Sequence, residues 1–227
     1  MSFYIVATPI GNLDDLSSRA LETLKTVDLI LCEDTRVTKK LLFRYGIEKP
    51  TKSFHQHSTH QRSKEIVDLL KQGTSIALVS DAGTPGISDP GGILIEQLVR
   101  EAPEIPIIPI PGPSALIAAL SISGFPADEF IFLGFPPHKK GRERFFDRLC
   151  ELSSTVVFYE STHRIEKTLQ ALAERLPDRL MVLCRELTKH YEHVYRGTPI
   201  QVTEQLKADS IKGEFVLVLS SIRRKSV

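Results

Sequence analysis

Short apolar runs alternate with amphipathic stretches through the first half of the chain. Phe3-Tyr4-Ile5-Val6-Ala7, Asp28 to Cys32, Ser75 to Val79 and Pro106 to Ile110 are nearly continuous apolar runs, the pattern of strands covered on both faces. Between them lie helical patterns. Ser17 is a fair N-cap for a helix with Ala20, Leu21, Leu24 and Val27 on one face; a second runs from about Val37 to Tyr45 and stops at Gly46; a third holds Ile66, Leu69 and Leu70 and ends at Gly73; a fourth spans Ile93 to Arg100. Strands alternating with helices predict a largely parallel sheet. Two prolines place Pro106 to Ile110 at its edge. The segment with Lys52, His55, His57 and His60 reads as a loop.

Pro109 to Ser114, with three prolines and a glycine, is the clearest break, and divides the chain into expected domains 1–111 and 112–227. The second half mixes its pattern. A helix through Ala115 to Leu120 ends near Gly124, and strands are expected at Phe130 to Phe135, Thr155 to Tyr159 and Leu180 to Cys184. Helices are expected up to about Leu152 and from Arg164 to Leu176. Tyr191 to Arg196 and Glu214 to Leu219 are expected to pair as antiparallel strands around a short helix. The fold class is therefore α/β, with two α/β domains, a largely parallel N-terminal sheet and a mixed C-terminal one.

Composition narrows the class. Of 227 residues, 41% are hydrophobic and 25% charged, with a net charge of +1. A buried core is expected, and a general polycation is excluded, though a local basic patch could still meet nucleic acid. Cys32, Cys150 and Cys184 are too far apart for a metal knuckle, and suggest free thiols in a reducing cytosol. No run approaches a membrane span, so a cytoplasmic protein is expected.

Chemistry concentrates where strands end. The stretch Val79 to Gly92 carries four glycines, two prolines and two aspartates between a strand and a helix. That is the place where α/β sheets bind ligands, and a plain connection needs far fewer special residues. Other strand ends carry Glu33-Asp34-Thr35-Arg36, Glu160-Ser161-Thr162-His163-Arg164, and Arg185-Glu186 with Lys189. Singly each fits a structural ion pair; together they suggest a shared site. His55, His57 and His60 lack acidic or cysteine partners nearby, so loop contacts are expected there and no metal. The P-loop, dinucleotide and nucleophile-elbow motifs are all missing.

Seven blocks in order carry a resemblance: Ala7-Thr8-Pro9-Ile10-Gly11-Asn12-Leu13-x-Asp15; Glu33 to Arg36; Ser80-Asp81-Ala82-Gly83-Thr84-Pro85-x-Ile87-x-Asp89-Pro90-Gly91; Pro111 to Ala115; Tyr159 to Arg164; Arg185 to Lys189; and Lys212-Gly213-Glu214. Over nearly its whole length the chain resembles the bacterial small-subunit ribosomal RNA cytidine 2′-O-methyltransferases of the tetrapyrrole-methylase superfamily. The resemblance implies a homodimer, with S-adenosylmethionine in a cleft between two α/β domains, and small-subunit ribosomal RNA or the assembled subunit as partner, with no membrane. It assigns Pro9, Asp81, Gly83, Thr84, Pro85, Ile87, Ser114, Ala115, Tyr159, Gly213 and Glu214 to the cofactor. The chain departs from the family pattern at Ser58 and Thr59, where Asn and Glu usually stand, and ends at Val227 where many members extend further.

Methyl transfer is an in-line displacement, and a ribose hydroxyl must lose its proton to take part. Asp34, Glu160, Glu186 and Lys189 are the expected proton acceptors, Lys189 only if its pKa is lowered. Arg36, Arg164 and Arg185 suit RNA phosphates, as does the basic loop from His138 to Arg144. Catalytic work is thus expected of Asp34, Arg36, Glu160, Arg185, Glu186 and Lys189, with loss of Asp34 or Lys189 stopping transfer but not cofactor binding. Two readings compete: a tetrapyrrole or other small-molecule methyltransferase, and a non-catalytic RNA-binding module.

Overall fold

The computed structural model describes residues 2–55, 60–89 and 91–222. The chain forms two compact units, residues 1–114 and 115–227. His57, the Ser58 and Thr59 departures, Pro90 and the basic tail Arg223 to Lys225 lie outside the described residues.

The first unit runs β1 (Phe3–Val6), α1 (Ser18–Thr26), β2 (Leu29–Cys32), α2 (Thr35–Arg44), β3 (Thr51–Ser53), α3 (His60–Lys71), β4 (Ile76–Val79), α4 (Gly91–Glu101) and β5 (Ile107–Ile110). Its five-stranded sheet has the order β3-β2-β4-β1-β5, and every pairing is parallel. Neighbouring residues of a strand point to opposite faces, and here both faces are covered. Ile30, Cys32, Ala77 and Val79 pack with Ala20, Leu24 and Leu42 of α1 and α2. Leu31, Ile76 and Leu78 pack with Ile66, Leu70, Leu94 and Leu98 of α3 and α4. That is why the strands read as unbroken apolar runs. The connections follow: α1 and α2 lead toward one edge of the sheet, α3 and α4 toward the other, and right-handed crossovers put the two pairs on opposite faces.

One expectation fails here. Thr51-Lys52-Ser53, taken as loop, is a strand paired only with β2. An edge strand this short needs no apolar face, so no periodicity announced it. β5 lies at the opposite edge, as its prolines require. α2 starts two residues earlier than its apolar pattern, because Asp34 caps it by accepting from the Arg36 backbone N–H at 2.8 Å.

The second unit runs α5 (Ala115–Ser123), β6 (Phe130–Phe132), α6 (Arg142–Glu151), β7 (Thr155–Ser161), α7 (Ile165–Arg175), β8 (Met181–Arg185), β9 (His193–Gly197), α8 (Pro199–Ala208) and β10 (Glu214–Leu219). The sheet is mixed, in the order β6-β7-β10-β8-β9, with only β6 and β7 parallel. The expected pairing of the last two strands is wrong. β9 and β10 both pair with β8, and β10 is inserted between β7 and β8. The residues explain it: Phe215 to Leu219 are all buried, as a central strand requires, whereas β9 buries only Tyr195 and leaves His193 and Arg196 exposed, as an edge strand can. One face carries Phe146 and Leu149 of α6, Leu169 and Leu172 of α7, and Val202 and Leu206 of α8; α5 packs on β7 and β10. Cys32 and Cys184 are buried free thiols. Among the described residues no helix is long and apolar enough to cross a membrane.

Burial on both faces of the first sheet has a direct test. Ile30→Ala and Leu31→Ala alter adjacent residues that point opposite ways, both fully buried. Each is expected to cost about 2–5 kcal/mol in denaturant unfolding; a sheet covered on one side would lose stability at only one of them.

Candidate cofactor and active site

The connections leaving β1 and β4, adjacent strands, run in opposite directions across the sheet, to β2 and to β5. Their carboxyl ends therefore form a switch point, where a crevice opens between diverging loops. The two loops are stitched together there. The Thr8 N–H donates to the Gly83 carbonyl at 2.9 Å, and the Gly83 N–H returns a bond to the Thr8 carbonyl at 3.1 Å. The Thr8 hydroxyl donates to the Ser80 carbonyl at 2.9 Å. The loop after β5 joins them, since the Thr84 hydroxyl donates to the Pro113 carbonyl at 3.3 Å. Glycine is required twice. Gly83 has φ +87°, which side chains resist, and a Cβ on Gly112 would stand 3.0 Å from the Ala7 Cβ. Pro9, Gly83 and Pro85 are buried in this junction, while Thr84 and Ser114 are half-buried and Ile87 is exposed. Part of the glycine-rich loop serves itself: Asp89 Oδ1 accepts from Gly86 N–H at 2.6 Å and Gly91 N–H at 2.7 Å, closing the turn onto the start of α4.

Carboxylates gather beside this junction, at the ends of β2 and β4. The Asp34 N–H donates to Asp81 Oδ1 at 3.1 Å. Asp34 itself is engaged with Arg36 at 2.6 Å, and that hydrogen bond brings its pKa down to about 2. Its neighbours behave oppositely. Burial, then the charges of Asp89 and Asp81, push the Glu33 carboxyl above its usual range against a hydrogen bond from Ser80. Partial desolvation likewise raises Asp81, though the Asp34 N–H works against it. The sequence drew attention to Asp34 and passed over Glu33; only its half-buried place among other carboxylates sets Glu33 apart.

In the second unit the expected residues meet at one end of the sheet. Register places Glu214 beside Ser161, and Phe215 beside both Glu160 and Arg185. Tyr159 lies edge-on to Phe132 with ring centres 5.1 Å apart; burial raises its pKa against a hydrogen bond from the Leu116 backbone, next to Ala115 at the start of α5. Gly213 is held by Glu186, whose Cγ would be 2.7 Å from a Cβ there. Glu186 Oε1 accepts from Lys189 Nζ at 2.9 Å and from the Glu214 N–H at 2.8 Å, and Lys189 also meets Glu214 Oε2 at 2.9 Å. Burial works to raise Glu186 and to lower Lys189, but these contacts outweigh it, leaving Glu186 lowered and Lys189 raised. The lowered pKa that Lys189 needs as a base is thus not what its surroundings create.

Other expected roles turn inward. Glu160 is 1% exposed and saturated: it accepts from the Ser161 N–H at 2.8 Å and the Thr168 hydroxyl at 2.6 Å, and pairs with Arg164 at 2.8 Å and Arg142 at 3.6 Å. Arg164 further donates to the Pro136 carbonyl at 2.7 Å. Arg185 donates to the Lys212 carbonyl at 2.7 Å and pairs with Asp209 at 3.0 Å. Arg164 and Arg185 are therefore committed within the unit, where phosphate gripping was expected. Arg142 likewise leaves the basic loop for Glu160, while His138, Lys139 and Lys140 stay exposed. Among the described residues no cluster of His, Cys, Asp and Glu could hold a metal.

Fold and loops together define an α/β protein with a candidate ligand site at the switch point of its first sheet. The chain belongs to the tetrapyrrole (corrin/porphyrin) methylase family, whose model matches residues 2–202. It is 46% identical over 216 residues to the ribosomal RNA small subunit methyltransferase I of Thermotoga maritima, covering 95% of this chain and 96% of that protein. The Bacillus subtilis protein of the same name is 44% identical over 227 residues, covering 99% of this chain and 76% of that one. In fold, the chain matches a uroporphyrin-III C-methyltransferase from Thermus thermophilus complexed with S-adenosylhomocysteine, with a TM-score of 0.66, 16% identity and coverage of 97% of each chain.

Saturation of Glu160 makes a stability prediction. Glu160→Ala strands the Arg142 and Arg164 guanidiniums and is expected to cost about 3–5 kcal/mol of unfolding free energy. A variant as stable as the wild type, yet inactive, would return Glu160 to the chemistry.

Proposed function

We propose that the protein transfers a methyl group from S-adenosylmethionine to the ribose 2′-hydroxyl of a cytidine in small-subunit ribosomal RNA, acting on the RNA or on the assembled subunit. The observation that carries this reading is the closure of three loops at the ends of β1, β4 and β5. A cradle built of glycines and backbone groups admits a ligand close to the main chain, which suits a nucleoside with an amino-acid tail. S-adenosylmethionine, when bound, supplies a methyl group on a positively charged sulfur. Pro9, Asp81, Gly83, Thr84, Pro85, Ile87, Ser114, Ala115, Tyr159, Gly213 and Glu214 would hold it. Shared family with the ribosomal RNA methyltransferases, at 44–46% identity, supports the RNA substrate.

The residues then divide the work. Asp34, with a pKa of about 2, is a poor proton acceptor; it shapes α2 and positions Asp81 through its N–H. Glu33 and Asp81, both raised, are the better acceptors for the ribose proton at neutral pH. Arg36, whose side chain is 86% exposed, can exchange Asp34 for an RNA phosphate. Glu186 and Lys189 brace the Gly213-Glu214 turn. We also assign a homodimer in the cytoplasm: α5 is apolar around its circumference yet leaves Ile117 and Ile122 uncovered, as a helix buried by a second subunit would.

Labelled S-adenosylmethionine, offered with small ribosomal subunits, free ribosomal RNA or porphyrin precursors, tests the reading. Label is expected in ribose of the RNA; label in the porphyrin, or RNA retention without cofactor affinity, overturns it. Glu33→Gln is expected to slow transfer about 10²–10⁴-fold with cofactor affinity retained, and to remove a rise in rate with pH centred above the usual carboxylate range. A carboxyl whose folded pKa is raised costs stability above its unfolded pKa, so Glu33→Gln should also raise the Tm at neutral pH and lose that gain in acid.

A further inference from the structure

Apart from Arg36, the outer face of α2 has no task in the proposed transfer. Its ten residues, Thr35 to Arg44, include four cations and no acid. Thr38, Leu41 and Leu42 face the core; Arg36, Lys39, Lys40 and Phe43 recur at helical spacing on the side directly away from it. Phe43 is 87% exposed, the most exposed of the large apolar side chains described. A solitary aromatic in that position contributes nothing to the core. Arg36 and Arg44 have carboxylate partners, Asp34 at 2.6 Å and Asp14 at 3.8 Å. Lys39 and Lys40 have none among the described residues. The helix begins at the carboxylate cluster, because its cap residue Asp34 is the one bonded to Asp81. Phe43 stands about 12 Å further along, at 1.5 Å per residue.

We propose that this face is a docking strip for a single-stranded stretch of the substrate RNA, with Phe43 stacking on a base while Lys39 and Lys40 meet phosphates. The inference rests on the RNA reading above and adds where the strand enters. Cations flanking an exposed aromatic are the elements of sequence-tolerant single-strand binding. A second copy of the chain is a poorer occupant: a two-fold contact through this face would set its cations against each other.

Binding of unmethylated small-subunit ribosomal RNA to the full chain, titrated against salt, separates the contributions. Phe43→Ala is expected to weaken binding about tenfold without changing the salt slope, and Phe43→Trp to restore it. Lys39→Ala with Lys40→Ala should flatten the slope of log affinity against log salt by about 0.7 for each phosphate no longer neutralised. KM for the RNA should rise in step, with S-adenosylmethionine affinity unchanged. All these side chains are exposed, so the variants keep the fold. Wild-type affinity and slope in both variants would overturn the proposal, as would a Phe43→Ala protein that dissociates into monomers at unchanged RNA affinity. If the wild type itself methylates no RNA, the proposed function fails first.

Discussion

A parallel strand that stops must do something with its last backbone groups, and in this protein that requirement builds the site. β1, β4 and β5 end side by side, and their loops satisfy one another: Thr8 with Gly83, Thr8 with Ser80, Thr84 with Pro113. The exchange draws three segments far apart in sequence into one junction. It also sets local rules, since a side chain on Gly112 would press against Ala7 and the turn at Gly83 needs positive φ. Without this stitching the glycine-rich loop would be free chain, and ordering it would fall to the ligand.

Charge is handled in contrasting ways in the two units. In the second, the carboxylates singled out by sequence are matched with cations, Glu160 with Arg142 and Arg164 and Glu186 with Lys189, as is Asp209 with Arg185. Groups so committed hold loops in place; they are slow to accept a proton or a phosphate, because doing so breaks several bonds at once. In the first unit Glu33 and Asp81 have no such cations among the described residues, and burial raises the pKa of both, with the charge of Asp81 adding to the rise at Glu33. Unrelieved repulsion of this kind is characteristic of working groups.

Much of this was legible beforehand. Burial on both faces makes a strand uniformly apolar, so β1, β2 and β4 declared themselves, and the prolines beside and within β5 marked its edge position. β3 did not, since three residues paired on one side carry no periodic signal. The partners of β9 and β10 were misjudged because neighbours in sequence are the natural guess for an antiparallel pair. The burial of Phe215 to Leu219 demanded two flanking strands and settled the order differently. In the site, residue types showed where chemistry gathers but not which groups are spent: Glu160, Arg164 and Arg185 look reactive in a motif and are saturated in space.

By itself the sequence determined the fold class, the elements with strong periodicity, and the blocks that tie the chain to its family, because each depends on residues close together along the chain. Only the tertiary structure decided which carboxylates stay unpaired, which arginines face inward, and that α2 offers a bare aromatic among unpaired lysines. Those properties depend on distances between residues remote in sequence and on how much water each retains, and a string of letters records neither.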